Sequence, residues 1–543
     1  MTHLLLLSLL VAPTDAAPLT ADERERRDAL LSSFEALFTP ADTQAIAAEV
    51  GQPACVTGLV AQLKDDWGLF SPAERARITE RLTPWKADLL DDPPYAAAVP
   101  GHEHSCLGEV GAYHLLGEHF VVEWDSSAVA GYAERFLESL EYAWEQEVET
   151  FGWKAPTSAP EYPILAYIYD YSSYAGAYTS VEWCSGYGYV PYIVAYSGSF
   201  SWESWAQDMA AHEFNHTIQF STSMSPDFWY WEATAVWMQE EVYPSHNIWS
   251  DYVVAYTEYP WIGQNAWSQQ SHEIFYHMYG MAIFNFYLSE YHGGHAVVRD
   301  MWGWAADHTS SYMEEPIWNV AEGLGLDWEE LMDGFMSVVT VMDFADHRYF
   351  PDVRIQDAVT ELPSSGTSGT SRAPQSLGQN FVLFDDGLFG SGEDLRVTFD
   401  GDDAVPWFVI LVAEDDGEIE ETVKVEVDDL GVGEAWITPR GGDVWLVVSP
   451  WDVNAYGTAY NWDRATVYTY GWSAELGTEP EDTGTPDDTG IPDTDPDLPA
   501  RPGDGDDDEA STCGCASTPS TGSRAALAGL LLAATILLWR RRS

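Results

Sequence analysis

The chain has 543 residues, enough for several domains. Asp and Glu number 88 against 23 Lys and Arg, a formal charge of −65, and the lysines are only Lys64, Lys86, Lys154 and Lys424. So acidic a surface repels nucleic acid, and no basic aromatic groove offsets it, so no nucleic-acid partner is expected.

Residues 1–16 open with an apolar run, Leu4 to Ala12, and look like a signal peptide cleaved after Ala16. No Lys or Arg precedes the run, which leaves a short anchor as the alternative. Residues 17–100 read as mostly helical, over Arg26 to Leu37, Thr57 to Leu63 and Pro72 to Leu82, and suit a propeptide or an N-terminal support region. No cleavage site is evident at the end of this region.

Residues 101–360 carry the pattern of an α+β domain. Phe120 to Trp124 and Tyr162 to Tyr169 predict strands, and Ala128 to Phe151 predicts a long helix with Tyr132, Phe136, Leu140 and Trp144 on one face. Tyr192 to Tyr196, just after Pro191, predicts a strand at a sheet edge, free to pair with an extended peptide. Trp205 to Phe220 then predicts a helix, with Met209, Phe214 and Ile218 at helical spacing and Ser201 or Ser204 as its cap.

That helix holds His212-Glu213-Phe214-Asn215-His216. Residues four apart share a helix face, so both imidazoles reach one zinc ion and Glu213 can hold a water against it. A catalytic zinc takes three protein ligands and keeps one position open. The next acidic candidate is Glu232, in a second helix over Trp229 to Glu241 that comes after a turn at Ser225, Pro226 and Asp227. Glu232 stands among Trp and Ala, where a buried carboxylate needs a partner that a metal would supply. Glu240 and Glu241 read as an ordinary solvated helix end. A structural histidine pair and a structural carboxylate are the competing readings.

His212, Glu213, His216 and Glu232 together resemble the gluzincin pattern, in which the helix with the His pair is followed by a helix supplying a glutamate. The resemblance implies a Zn²⁺-dependent peptidase acting on protein or peptide substrates. The 16-residue gap from His216 to Glu232 is shorter than in thermolysin-like members, and Val236 stands where they carry an aspartate that orients a ligand histidine. The metzincin pattern fails, because Gln219 and Thr222 occupy the positions of its glycine and histidine. Related enzymes take an oxyanion donor from a later helix, which points to the segment His272 to Phe284. Tyr279 is its first candidate, with His277 and Tyr276 behind it, and core packing is the alternative for each. Trp202, Trp205, Trp229 and Trp231 suit an aromatic-lined cleft or a large core.

Trp328 to Val341 predicts a closing amphipathic helix, and the Ser/Gly/Thr/Pro-rich stretch 361–378 a linker or long surface connection. Residues 379–474 hold short strand-like runs between turn signals: Phe381 to Phe384, Leu395 to Phe399, Trp407 to Val412, Val423 to Val427, Val444 to Val448 and Ala465 to Tyr470. That is an all-β sandwich pattern. Residues 475–510 are rich in Asp, Pro, Gly and Thr and predict a disordered acidic spacer.

Residues 511–543 hold Cys513-Gly514-Cys515, the apolar helix Ala525 to Trp539 and Arg540-Arg541-Arg542. This order resembles the MYXO-CTERM sorting tail. It implies a transmembrane helix, cell-surface delivery and processing near the cysteines by a C-terminal sorting protease. Export also suits a disulfide between Cys106 and Cys184, although spacing alone does not fix that pairing. The leading expectation is an exported zinc endopeptidase. Its rivals are a zinc exopeptidase or other amide hydrolase, and a non-catalytic surface adhesin with a structural metal site.

Overall fold

In a computed structural model of the chain, residues 19–37, 54–55, 57–82 and, with short gaps, 106–478 are described. The expected signal peptide, most of the acidic spacer and the sorting tail with Cys513 and Cys515 lie outside them. Strands β1 (Ala54–Cys55), β2 (Tyr113–Leu116), β3 (Phe120–Trp124), β4 (Ile164–Tyr169), β5 (Gly176–Cys184) and β6 (Gly188–Tyr196) form one sheet in the order β1-β5-β6-β4-β3-β2. β3, β4 and β6 run parallel, while β5 is antiparallel to β6 and β2 to β3. β1 pairs parallel to the outer edge of β5, Ala54 opposite Gly176 and Cys55 opposite Ala177.

Side chains alternate between the two faces of a strand, and here each face has its own apolar cover. Tyr178, Tyr192, Val194 and Tyr196 point to the face covered by α1 (Ala21–Leu37), α2 (Thr57–Asp65) and α3 (Pro72–Leu82), where they meet Leu30, Phe34, Leu59, Leu63 and Ile78. The Tyr178 hydroxyl donates to the Leu82 carbonyl. Ala177, Ile193 and Ala195 point to the other face and the main core. That core is built by α4 (Ala130–Trp144), α5 (Glu203–Thr222), α6 (Phe228–Val242), α7 (Trp249–Glu258), α8 (His272–Gly280), α9 (Ala282–His292), α10 (His295–His308), α11 (Ile317–Gly323) and α12 (Trp328–Val341).

The edge role expected for Tyr192–Tyr196 is corrected by the pairing. β6 is hydrogen-bonded on both sides, to β5 and to β4, and β5 with the two-residue β1 lies outside it. β5 itself mixes Gly, Thr, Ser and Glu into Gly176-Ala-Tyr-Thr-Ser-Val-Glu-Trp-Cys184, which hid it from a hydrophobic pattern. α5 begins without the expected serine cap: its N-cap is Trp202, and the Ser201 hydroxyl donates to Gly198 instead. Past Trp144 the chain winds through a π-helical turn, Glu145–Thr150, in which the Phe151 N–H reaches back five residues to the Gln146 carbonyl.

Nine more strands complete the chain: β7 (Asp357–Val359), β8 (Ser364–Thr367), β9 (Asn380–Phe384), β10 (Asp394–Gly401), β11 (Trp407–Asp415), β12 (Glu418–Lys424), β13 (Val432–Ile437), β14 (Val444–Pro450) and β15 (Tyr470–Gly477), among the described residues. They form a four-stranded sheet, β13-β10-β15-β8, and a five-stranded sheet, β12-β11-β14-β9-β7. One apolar cluster draws on both, with Val397, Phe399 and Trp472 from the first and Val409, Leu411 and Leu446 from the second. The molecule is therefore a mixed α+β structure with several sheets. The stretch expected as a linker contains β8, because its small residues pair with β15 and Gly366 lies under the Trp472 ring. The last expected strand starts five residues later than its aromatic run, since β15 takes its register from β10.

The expected membrane span is corrected: among the described residues no helix is long and apolar enough to cross a membrane, and the Ala525–Trp539 stretch lies outside them. The solvated end expected for α6 is corrected as well. Glu240 is buried, because α6 runs through the core to its last turn, and burial pushes its carboxyl up to about 8.

Two of these contacts can be tested directly. Cys106 and Cys184 form a disulfide with Cα atoms 6.0 Å apart, closing a loop with a sequence separation of 78. Replacing both by Ser should cost about 2–4 kcal/mol of stability, read by denaturant titration. For Glu240 the folded value lies above the unfolded one, near 4.3. Its contribution is thus full below that pH and lost as pH climbs through about 8. Between pH 6 and 9 the wild-type melting temperature should fall more steeply than that of Glu240→Gln.

Candidate metal centre

α5 is buried without a break from Asp208 to Gln219 and α6 from Phe228 to Glu240, so the two helices lie side by side in the core rather than on its surface. That packing brings Glu232 across to the histidine pair. The Glu232 Oε2 atom is 3.1 Å from His212 Nε2 and 3.4 Å from His216 Nε2, and the two Nε2 atoms are 3.1 Å apart. Tetrahedral zinc with bonds of about 2.0–2.1 Å wants its ligand atoms roughly 3.3–3.4 Å apart, so the triangle is close to the size the ion needs. His212, His216 and Glu232 are all buried.

Tautomer chemistry agrees with a cation there. The Gln219 side-chain NH₂ donates to Asn215 Oδ1 at 2.8 Å and to the Trp231 carbonyl at 3.1 Å. Its Oε1 therefore faces His216 and accepts from Nδ1–H at 2.6 Å. A neutral imidazole with its proton on Nδ1 presents a lone pair at Nε2, which here points at the Nε2 of His212 and a carboxylate oxygen. Three electron-rich atoms gathered out of water need a positive charge among them. Glu232 Oε1 and His212 Nδ1 have no hydrogen-bond partner among the described residues. The donor set fits a divalent metal.

The electrostatics of the cluster favour positive charge at the shared point, be it a proton or a metal ion. Burial alone would push the Glu232 carboxyl up, but the His216 and His212 imidazoles outweigh it and hold it at about 2. Burial would push His216 down, and Glu232 with Glu213 outweighs that and holds it above its ordinary value.

Behind the ligands runs a polar chain that the sequence did not announce. Asn215 donates from Nδ2 to Glu147 Oε2 at 2.9 Å, so Glu147, Asn215, Gln219 and His216 are joined in series. Burial raises the Glu147 carboxyl well above the carboxylate range. The π-helical turn delivers Glu147 to this position. Gln219 was legible in principle, since it lies three residues past His216 on the same helix face. Glu147 carries no local signal at all.

Glu213 is fully buried beside the histidines. The Thr179 hydroxyl of β5 lies 2.7 Å from its Oε2 and 2.8 Å from its main-chain carbonyl, and the Thr57 hydroxyl of α2 lies 3.4 Å from Oε2. Of the later candidates, Tyr279 is the one set against the cluster, its ring stacked 6.3 Å from that of His212. Gly280 allows this approach: a Cβ there would meet the Tyr252 carbonyl at 2.8 Å, so α8 can seat closely on α7. Tyr276 lies one step out, against Tyr252 and Tyr279. His277 projects toward Tyr256, and neither ring nitrogen has a hydrogen-bond partner among the described residues. Burial lowers it to about 3 and keeps it neutral. Trp205, Trp229 and Trp231 belong to the core, and only Trp202 of these four is exposed.

Residues 118–418 match the Family of unknown function (DUF6055), and the chain belongs to that family. No curated protein matches it. Among solved structures, the pre-peptidase C-terminal domain of a collagenase from Bacillus anthracis is similar at 12% identity, over 23% of this chain and 100% of that one. Its TM-score is 0.16, too low to argue from.

Replacing Gln219 by Leu removes the acceptor for His216 Nδ1–H and should weaken divalent-metal binding, probed with zinc, roughly 10–100-fold. His216→Ala should abolish stoichiometric uptake of added zinc. Both are read by metal analysis after dialysis against a graded chelator.

Proposed function

We propose that this protein is a zinc-dependent peptide hydrolase of gluzincin-like type. The observation that carries the reading is the convergence of His212, His216 and Glu232 on one point, with the carboxyl of Glu213 in the same helical turn. When bound, zinc would acidify a water in its open position and polarise the substrate carbonyl. Glu213 would take the proton from that water and pass it to the leaving amine. Thr179 holds the carboxylate in position during the transfer. The Tyr279 hydroxyl is the donor offered to the developing oxyanion.

The other inferences rest on this reading. The two facing C-terminal sheets act as a sandwich that supports the hydrolase body. The Cys106–Cys184 disulfide supports an exported protein. The resemblance of the C-terminal tail supports cell-surface delivery and cleavage by a sorting protease. A structural metal site in a non-catalytic surface protein is the second reading, favoured by the burial of all three ligands.

One pair of variants separates the two. Glu213→Gln should keep zinc at one per chain and lower casein hydrolysis by about 10²–10⁴-fold. Tyr279→Phe should lower turnover by roughly 10²–10³-fold with zinc unchanged. Hydrolysis by the pure Glu213→Gln protein at the wild-type rate would end the catalytic assignment.

A further inference from the structure

The outer edge of β5, the strand whose Thr179 reaches Glu213, is covered by the N-terminal segment. β1 pairs with it at Gly176 and Ala177. Farther along, the main-chain N–H of Thr179 donates to the Thr57 hydroxyl at 2.9 Å, and the Val181 carbonyl accepts from Lys64 Nζ at 2.6 Å. Over 176–181 the edge is therefore met first by a strand and then by two side chains of α2. The same Thr57 hydroxyl stands 3.4 Å from Glu213 Oε2. Next to it, a Cβ on Gly58 would lie 3.8 Å from Glu232 Oε1, so the first turn of α2 covers the metal ligand as well as the general base. Leu59, Val60 and Leu63 seat this helix in the apolar cluster on the sheet.

We propose that β1 and α2 are an intramolecular occupant of the β5 edge, and that the chain is latent until they are displaced by an extended peptide segment. This rests on the hydrolase reading above. The exposed edge would offer the Thr179 N–H and Val181 C=O to the main chain of the incoming peptide, as sheet edges do in strand addition. Those two groups are now held by side chains rather than by a ladder. They can be surrendered without breaking the β5–β6 pairing. Displacement would also withdraw the Thr57 hydroxyl from Glu213 and uncover Glu232 Oε1 beside Gly58.

The test uses the full chain and its Thr57→Val/Lys64→Met variant, both loaded with zinc. Three quantities are measured: hydrogen exchange at the Thr179 amide, the rate at which a chelator captures the metal, and casein hydrolysis. Losing two hydrogen bonds is worth roughly tenfold in the opening equilibrium, so exchange and capture should each rise by about that factor. The β5–β6 amides should stay protected, which shows that the sheet is intact. Unchanged metal capture with faster Thr179 exchange would overturn the proposal, and so would unchanged exchange. If the variant fails to fold, the otherwise unchanged protein nicked at a protease site inserted between Leu82 and Cys106 gives the same readout, with faster capture expected and an unchanged rate overturning the idea. Faster capture without hydrolysis in either form would retain the closure and discard the hydrolase reading.

Discussion

The side-by-side packing of α5 and α6 is the constraint on which the rest turns. It sets one carboxylate oxygen against two imidazole nitrogens, in the buried core. Burying that much unpaired electron density is costly unless a cation joins it. The surrounding structure treats the cost as fixed: Gln219, Asn215 and Glu147 hold the geometry from behind, Thr179 holds the neighbouring carboxylate, and Tyr279 closes one side. A site held this tightly is pre-organised, so little of the metal's binding energy goes into ordering side chains.

How much of this the sequence discloses depends on where the information lies. The His pair and Glu232 are legible because helical period and burial among apolar neighbours are local properties. The paired sheets past residue 379 are legible for the same reason, through alternation and turns. β5 was not, since its polar residues serve the site and the edge instead of a hydrophobic stripe. Strand order is a tertiary fact, and so Tyr192–Tyr196 looked like an edge while sitting in the middle of the sheet. Glu240 looked solvated because charge is usually a surface property, and only packing shows otherwise. Tyr279 and His277 are two residues apart, which on a helix turns them to different sides. Knowing which side meets His212 requires the helix to be docked.

The N-terminal helices and the metal centre are coupled through one strand. β5 gives one face to Leu59, Leu63 and Ile78 and the other to α5, and its edge carries the main-chain groups held by Thr57 and Lys64. Any movement of α2 is felt at Glu213 within a single hydroxyl's reach. That coupling ties α2 more closely to the metal centre than a detached support would be.

The order of the five-stranded sheet has a bearing on where this family ends. The match stops at residue 418, at the first residue of β12, whereas β14 lies between β11 and β9 and is contributed only at Val444–Pro450. A polypeptide terminated at that boundary would hold two strands with their common neighbour missing. Phe408, Ile410 and Val412 of β11 and Val447 of β14 meanwhile belong to the helical core. The structural unit therefore runs at least to Pro450, and the helical body and the later strands share one core instead of forming two exchangeable cassettes.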